Sequence, residues 1–251
     1  MATALLSAFK SAVNKSLAPI GIQISRAGHN WGDVANFIPF EQTMAAARAR
    51  GMSVGDYVDA VMNGVPGSSQ STIDKMASVG VFSQPLNTVV EIGPGTGRYL
   101  EKTLKACKPT RYEIYETAGP WSDYLMKEYQ LVLQPTDGYF MSATADHSVD
   151  LVHAHKVFSG TPFMVSMCYW QEMVRVLRPG GWAVFDVLTE RCLTGDAVSP
   201  WIKSGIRNAT YPAPVPRETV VSYFAGNGFT LAGSFIVPMP PGTTELLAFR
   251  K

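Results

Sequence analysis

The spacing of apolar residues changes near Pro85 and divides the predicted elements into two groups. Before Pro85, helix-forming composition and capping residues predict helices over residues 41–50, 53–62 and about 72–79, with a loop over 63–71. After Pro85, short apolar runs alternate with helical stretches. Such an alternation is typical of a parallel sheet with right-handed crossovers.

The second group of elements predicts an α/β domain. Its strands are expected over residues 87–93, 111–116, 131–134, 149–155, 182–188, 229–238 and 244–250, and its helices over 96–106, 119–129, 162–177 and 217–226. A Pro-Pro-Gly turn joins the last two strands, which can therefore pair only as an antiparallel hairpin. The sequence thus predicts an N-terminal helical extension over residues 1–80 and a sheet domain over 81–251.

Composition narrows the classes of function. The formal net charge is +1 and only 16% of residues are charged, so there is no electrostatic signature of nucleic-acid binding. The cysteines Cys107, Cys168 and Cys192 are widely spaced and odd in number, which disfavours a disulfide framework or a zinc site and is typical of a reducing cytoplasm. No metal is expected.

The N-terminus predicts an amphipathic helix, because Leu6, Phe9, Val13 and Leu17 follow helical spacing. Lys10 and Lys15 interrupt the apolar run, which therefore lacks the long apolar core of a signal peptide. Docking onto its own domain, docking onto a second subunit in a homodimer, and weak contact with a membrane surface remain open alternatives.

A glycine-rich turn follows the first predicted strand, in the segment VVEIGPGTGRYLEKTL over residues 89–104. Gly93, Gly95 and Gly97 permit positive φ angles and let a ligand approach the bare backbone, while the first amides of the next helix are free to bind it. A dinucleotide-binding turn would need a third glycine where Arg98 stands. This difference favours a cofactor with a carboxylate, an amine and an adenosine over one with a pyrophosphate.

Two acids lie where the next strands end. Glu116 comes about 20 residues after the glycine turn, where a carboxylate can accept hydrogen bonds from ribose hydroxyls. Asp137 and Gly138 follow the third strand, and Asp137 is a candidate acceptor for an adenine amino group. Capping of the next helix by Glu116 and a plain Asp-Gly turn are the alternative interpretations.

These segments together resemble the successive motifs of class I S-adenosylmethionine-dependent methyltransferases. The resemblance covers roughly residues 75–251 and rests on EIGPGTGR, Glu116, Asp137-Gly138, VDLVHAH and VLRPGGWAVFDV. It implies a Rossmann-like, seven-stranded, mostly parallel sheet with a reversed terminal strand. It also implies that Glu91 and the glycine turn hold the methionine part, Glu116 the ribose and Asp137 the adenine end. Arg98 and Gly138 are expected among the cofactor-binding residues as well. RYLEKTL, YEIYET and DLVHAHKVF further resemble bacterial O-methyltransferases of sugars and glycans.

Histidines at the end of the fourth strand are the candidates for catalysis. Ligands of such sheets meet at the carboxyl ends of the strands, where the chain places His153, His155 and Lys156. We expect His155 to act as general base toward a hydroxyl acceptor, His153 to support it or contact the cofactor, and Lys156 to be structural or solvated. His29 is a further candidate from the extension.

The acceptor site is expected between the extension and a long connection over residues 190–216. Trp201, Arg207 and Tyr211 are candidate contacts for a small or saccharide acceptor, with Tyr57 and the loop over residues 67–71 in a lid. Three other functions remain open: methylation of an amine or a carbon, a nicotinamide-dependent oxidoreductase, and a non-catalytic binding domain.

Overall fold

The computed structural model describes residues 38–205 and 212–251. These residues lie within one compact unit, Val34–Lys251, which holds both the helices before Pro85 and the sheet. A second unit, Met1–Asp33, lies outside the described residues, as does the predicted N-terminal amphipathic helix.

The centre of this unit is a seven-stranded sheet in the order β3-β2-β1-β4-β5-β7-β6. Its strands are β1 Thr88–Ile92, β2 Arg111–Tyr115, β3 Val132–Leu133, β4 Val149–Ala154, β5 Leu177–Val187, β6 Thr230–Met239 and β7 Gly242–Arg250. The pairs from β3 to β5 are parallel, whereas β7 runs antiparallel to both β5 and β6. The predicted seven-stranded Rossmann-like sheet with a reversed terminal strand is therefore confirmed.

The described helices surround this sheet. They are α1 Phe40–Ala49, α2 Val54–Tyr57, α3 Ser68–Ser78, α4 Leu100–Cys107, α5 Gly119–Glu128, α6 Phe163–Val176, α7 Gly195–Gly205 and α8 Arg217–Gly226. A π-helical turn, Val58–Met62, continues α2, and a 3-10 turn, Glu190–Cys192, follows β5. None of the described helices has the length and hydropathy that a membrane-spanning helix requires.

Three predicted boundaries were wrong. In each case a backbone conformation or a contact with a distant residue, and not the local sequence pattern, determines where the element begins. Helix α4 begins at Leu100 and not at residue 96, because the glycine turn with its positive φ angles precedes it. Helix α3 begins at Ser68 and not near residue 71, since Asp59 accepts hydrogen bonds from the backbone and side chain of Ser69. Strand β5 begins at Leu177, five residues early, because Leu177 pairs with Val149.

The predicted long connection over residues 190–216 was wrong for its first part, which contains the helix α7. Its sequence carries Gly195, Pro200 and Gly205, all of which disfavour helix by propensity. Trp201 of this helix is nevertheless buried with Leu188, Cys192 and Met239. Packing of an apolar face outweighs propensity in most protein helices, and it does so here.

The two faces of the sheet are packed differently. One face contributes residues such as Val89, Leu151 and Val184, which are buried against Met76 of α3 and Leu100 of α4. The other face is aromatic: Phe185 of β5 and Phe249 of β7, together with Phe158, pack against Trp170 of α6 and Phe224 of α8. Both faces are covered, which explains why β1, β4 and β5 carry buried apolar residues on both sides.

Candidate active site

The glycine turn, residues 93–98, follows β1 at the carboxyl edge of the sheet. Gly93, Gly95 and Gly97 have φ angles of +62°, +52° and +78°, in the region that favours glycine. A Cβ on Gly93 would lie 2.8 Å from Val157 and one on Gly97 would lie 2.5 Å from Leu125, whereas one on Gly95 would meet no atom within 4 Å. The turn is therefore closed on two sides and open at Gly95, where a ligand can approach the backbone.

Glu116 lies directly beside this opening. Its Oε2 accepts a hydrogen bond of 2.7 Å from the backbone N–H of Gly95, and its Oε1 accepts one of 2.7 Å from Ala118. Burial raises the pKa of Glu116, while the hydrogen bonds from Ala118 and Gly95 act in the opposite direction. The carboxylate thus joins the glycine turn to the start of α5, and both predicted roles of Glu116, ribose binding and capping, remain compatible with its position.

Asp137 and Gly138 form a turn after β3. Asp137 Oδ1 accepts backbone hydrogen bonds from Tyr139 and Phe140, at 2.8 and 3.0 Å, and Gly138 has a φ angle of +81°. This geometry is that of an Asx-stabilised turn, the alternative interpretation of the motif. Contact of Asp137 with an adenine stays a prediction.

Glu91 is a buried residue of β1, one position before the strand ends. Tyr112 of β2 donates to Glu91 Oε2 at 2.7 Å, and the same phenol oxygen lies 2.8 Å from Nε2 of His153 on β4. Glu91 and His153 are register neighbours and are almost completely buried. Burial raises the pKa of Glu91 to about 8, despite the hydrogen bond from Tyr112. Tyr112 thus bridges the two predicted site residues Glu91 and His153, and the sequence analysis did not identify it.

His155 follows β4 and is covered by Tyr99, whose ring stacks on the imidazole with centroids 4.2 Å apart. His155 is only 6% exposed, and both its ring nitrogens are buried without a hydrogen-bond partner among the described residues. Burial lowers the pKa of His155 well below its usual range, and the positive charges of Lys156 and Arg98 lower it further. Buried polar groups are normally hydrogen-bonded, so the unpaired imidazole is a candidate contact for a ligand group.

Arg98 joins the glycine turn to the helices before Pro85. Its Nη1 donates to Asp59 Oδ1 at 2.7 Å, and its guanidinium lies over the ring of Tyr99 at 4.8 Å. A Cβ on Gly55 would lie 3.0 Å from the Cβ of Arg98, so helix α2 packs directly on this residue. The guanidinium predicted to contact the cofactor is therefore engaged by Asp59 and Tyr99. Nothing in the spacing of Arg98 and Asp59 along the chain indicates this long-range ion pair.

Lys156 belongs to a buried polar cluster beside His155. Its Nζ donates to Asp186 Oδ2 at 2.9 Å and to Thr244 Oγ1 at 2.7 Å, and its backbone N–H donates to Asp186 Oδ1. These contacts correspond to the structural role that was expected for Lys156.

The part of the chain that forms this site is similar to a known protein family. Residues 90–185 match the family model described as a methyltransferase domain. The matched segment begins in β1 and ends in β5, and so includes the glycine turn, Glu116 and both histidines of β4 and its end. A search of curated protein sequences finds no significant match.

Solved structures show the same fold at low identity. An O-methyltransferase family protein from Burkholderia thailandensis is 15% identical, with a TM-score of 0.58 over 86% of this chain and 63% of that one. The N-methyltransferase NodS from Bradyrhizobium japonicum WM9, in complex with S-adenosyl-L-homocysteine, is 19% identical, with a TM-score of 0.51 over 73% and 87%. Magnesium protoporphyrin IX methyltransferase (ChlM) from Synechocystis PCC 6803, with bound S-adenosylhomocysteine, is 12% identical, with a TM-score of 0.55 over 73% and 82%.

The residues predicted to contact the acceptor lie in different environments around the sheet. Tyr57 packs beside the cluster of Ala118 and Trp121, with the Arg50 guanidinium 5.5 Å from its ring. Trp201 is 2% exposed and lies in the cluster with Leu188, Cys192 and Met239, so its ring faces protein atoms. Three other candidates, His29, Arg207 and Tyr211, lie outside the described residues.

Proposed function

We propose that this protein transfers a methyl group from S-adenosylmethionine to a hydroxyl of a small or glycan-like acceptor, with His155 as general base. The observation that carries this proposal is the position of His155, whose two ring nitrogens are buried without a described partner next to the glycine turn. The match of residues 90–185 to a methyltransferase domain supports the reaction class. The hydroxyl and glycan part of the proposal rests on the resemblance to sugar O-methyltransferases.

The residues at the glycine turn fit this cofactor. The open backbone at Gly95 and the adjacent Glu116 provide amide donors and a carboxylate within one small region. We assign the methionine part to the glycine turn, the ribose to Glu116 and the adenine end to Asp137. When bound, S-adenosylmethionine supplies a methyl group that is already activated by the positive charge on its sulfur.

The chain's own contribution is to position the acceptor and to hold its proton. His155 is neutral at physiological pH because burial and the nearby cations lower its pKa, and a neutral imidazole has a lone pair to accept the hydroxyl proton. Tyr99 fixes the plane of this imidazole by stacking on it. Burial of both rings excludes water, which would otherwise compete with the acceptor.

Methylation of an amine or a carbon remains the second candidate, and the same lowered pKa of His155 is the observation that favours it. A base that holds a proton weakly gives limited assistance to a hydroxyl acceptor. A neutral amine needs only orientation, because its lone pair attacks without prior deprotonation. Replacement of His155 therefore separates the two candidates.

The test is a screen of acceptor pools with the full chain and methyl-labelled S-adenosylmethionine. For the acceptor that gains label, H155Q should lower kcat by about 10²- to 10⁴-fold, the usual contribution of general-base catalysis. H147N is the matched control, since His147 lies before β4 with a φ angle of +51°, which asparagine tolerates. A loss below about threefold in H155Q would reject His155 as the base and favour an amine acceptor.

A further inference from the structure

Three side chains on adjacent strands form a continuous buried hydrogen-bonded chain. Tyr112 of β2 lies between Glu91 of β1 and His153 of β4, with oxygen–oxygen and oxygen–nitrogen distances of 2.7 and 2.8 Å. Glu91, Tyr112 and His153 are 1%, 2% and 0% exposed. Their protonation states are therefore coupled to each other.

The phenol of Tyr112 has a single proton to share between two acceptors. If Glu91 is ionised, Tyr112 donates to its carboxylate, and the phenol oxygen accepts the proton of His153 Nε2. If Glu91 is protonated, it donates to the phenol, and Tyr112 donates to a bare Nε2. The charge on Glu91 therefore decides which ring nitrogen of His153 carries the proton.

The other nitrogen of His153 faces away from this hydrogen-bonded chain. Within the part of the chain that the structure describes, His153 Nδ1 is buried and has no hydrogen-bond partner. The rings of His153 and His155 are neighbours, with centroids 5.1 Å apart. Ionisation of Glu91 leaves a lone pair on Nδ1, and protonation of Glu91 places a proton there. The protonation state of Glu91 thus determines whether the His153 ring, which neighbours the proposed base His155, carries a proton on Nδ1.

The surroundings of Glu91 keep it protonated near neutral pH. Burial raises its pKa to about 8, and the negative charge of Glu116 contributes in the same direction. The groups that face the three side chains are Glu116 after β2, Cys107 and Thr103 on α4, and His155 after β4. A positive charge close to Glu91 would favour its ionised form. Glu91 is two residues before Gly93, where the glycine turn begins.

We propose that Glu91, Tyr112 and His153 form a proton relay that releases one proton when the cationic methyl donor occupies the glycine turn. Glu91 then ionises in response to the sulfonium, and His153 changes tautomer through Tyr112. This inference rests on the proposed function, and it assigns to Glu91 a role in proton balance in addition to binding the methionine part.

The relay keeps the protons of the reaction in balance. During transfer the carbon–sulfur bond breaks with its electron pair on sulfur, the acceptor oxygen bonds to the methyl carbon, and His155 takes the hydroxyl proton. Loss of the sulfonium charge restores the affinity of Glu91 for a proton, so the proton gained by His155 replaces the one that Glu91 gave up. The single proton that methyl transfer produces thus leaves the protein when the cofactor binds.

Calorimetric titration of the full chain at pH 7.0 tests this inference without an acceptor. Titrations in two buffers with different ionisation enthalpies give the number of protons released on binding S-adenosylmethionine and on binding S-adenosylhomocysteine. The wild type should release up to about one more proton with the methyl donor than with its product. E91Q should abolish this difference, and it should fold because glutamine imitates the neutral carboxyl.

A pH series gives the same quantity as affinities. The preference of the wild type for S-adenosylmethionine over its product should increase by up to about tenfold per pH unit between pH 6 and 8. In E91Q this increase should vanish, and any titration of the ligands' own amino groups is common to both proteins. Equal proton release and equal pH slopes in wild type and E91Q would overturn the relay. Lack of binding of both ligands to the wild type would refute the proposed function itself.

Y112F separates proton storage from relay, because it keeps Glu91 and removes the bridging hydroxyl. In ¹⁵N-histidine spectra of the wild type, the protonated nitrogen of His153 should be Nε2 in the complex with the donor and Nδ1 in the complex with the product. The resonances that disappear in H153N are those of His153. Y112F should retain the extra proton release and lose this change of the protonated nitrogen. Identical His153 resonances in both wild-type complexes would overturn the coupling to His153.

Discussion

Nη1 of Arg98 lies 2.7 Å from Oδ1 of Asp59, and this pair joins the glycine turn to the π-helical turn that follows α2. The Asp59 side chain is fully buried and that of Arg98 is 11% exposed. The second carboxylate oxygen of Asp59 accepts from the backbone and hydroxyl of Ser69, at the start of α3. One carboxylate thus connects the π-helical turn and α3 to the glycine turn.

We predict that D59A lowers the free energy of unfolding by roughly 3–5 kcal/mol, because it leaves the Arg98 charge buried without its partner. Denaturant unfolding of the full chain measures this change. The control is E101Q, which breaks the exposed pair of Glu101 with Lys105 on α4 and should cost at most about 0.5 kcal/mol. A similar small cost for both variants would show that the Asp59–Arg98 pair does not fasten the helices to the turn.

The glycine turn predicts different outcomes for two alanine substitutions. G97A should lower the free energy of unfolding by about 2–5 kcal/mol, because its Cβ would press on buried Leu125 at a φ angle of +78°. G95A has open space for its Cβ, so its cost should be only the backbone strain of about 1–2 kcal/mol. G95A should instead weaken S-adenosylhomocysteine binding at least tenfold. Unchanged affinity in a folded G95A would exclude the opening at Gly95 as the cofactor site.

Glu91 should make the stability of the ligand-free protein depend on pH. Its pKa is about 8 in the folded protein and near 4.5 in the unfolded chain. Between these two pH values the unfolded state therefore binds fewer protons than the folded state. The contribution of Glu91 to stability is fully present below pH 4.5 and is lost as the pH rises to 8. The expected slope relative to E91Q approaches about 1.4 kcal/mol per pH unit. Urea unfolding of both proteins from pH 5 to 8 measures it, and parallel curves would contradict the raised pKa.

Trp201 should contribute to stability through its cluster with Leu188, Cys192 and Met239. W201F should lower the free energy of unfolding by roughly 1–3 kcal/mol, because it leaves unfilled volume beside Gly242. The neighbouring I202A is the control and should change stability by less than about 0.5 kcal/mol, since Ile202 is 55% exposed. Equal melting temperatures for W201F and wild type would contradict the burial of this ring and would favour the prediction that Trp201 contacts the acceptor.

Elements whose signal is local were predictable from the sequence. The strands of the sheet, the hairpin at Pro240-Pro241 and the N-cap of α2 at Ser53 follow from alternation, turn residues and capping, and all three are confirmed. The glycine turn was identified because its residues are consecutive. Its helix was placed four residues too early, because the sequence does not show how long positive φ angles persist before Leu100.

Features that depend on pairing between distant residues were not predictable. Arg98 and Asp59 are 39 residues apart, and nothing in their spacing brings them together. Tyr112 was passed over because strand register decides its neighbours: it aligns with Val89, which places its phenol beside Glu91 and His153. A glutamate within the apolar run VVEI was the available signal, because a buried acid needs a hydrogen-bond donor.

The most direct test of the central proposal is calorimetric titration of the full chain with S-adenosylhomocysteine, and with NAD in parallel. Saturable binding of S-adenosylhomocysteine at about one molecule per chain, with no heat from NAD, is the predicted result. Binding of NAD without binding of S-adenosylhomocysteine would contradict the proposal and favour a nicotinamide-dependent oxidoreductase.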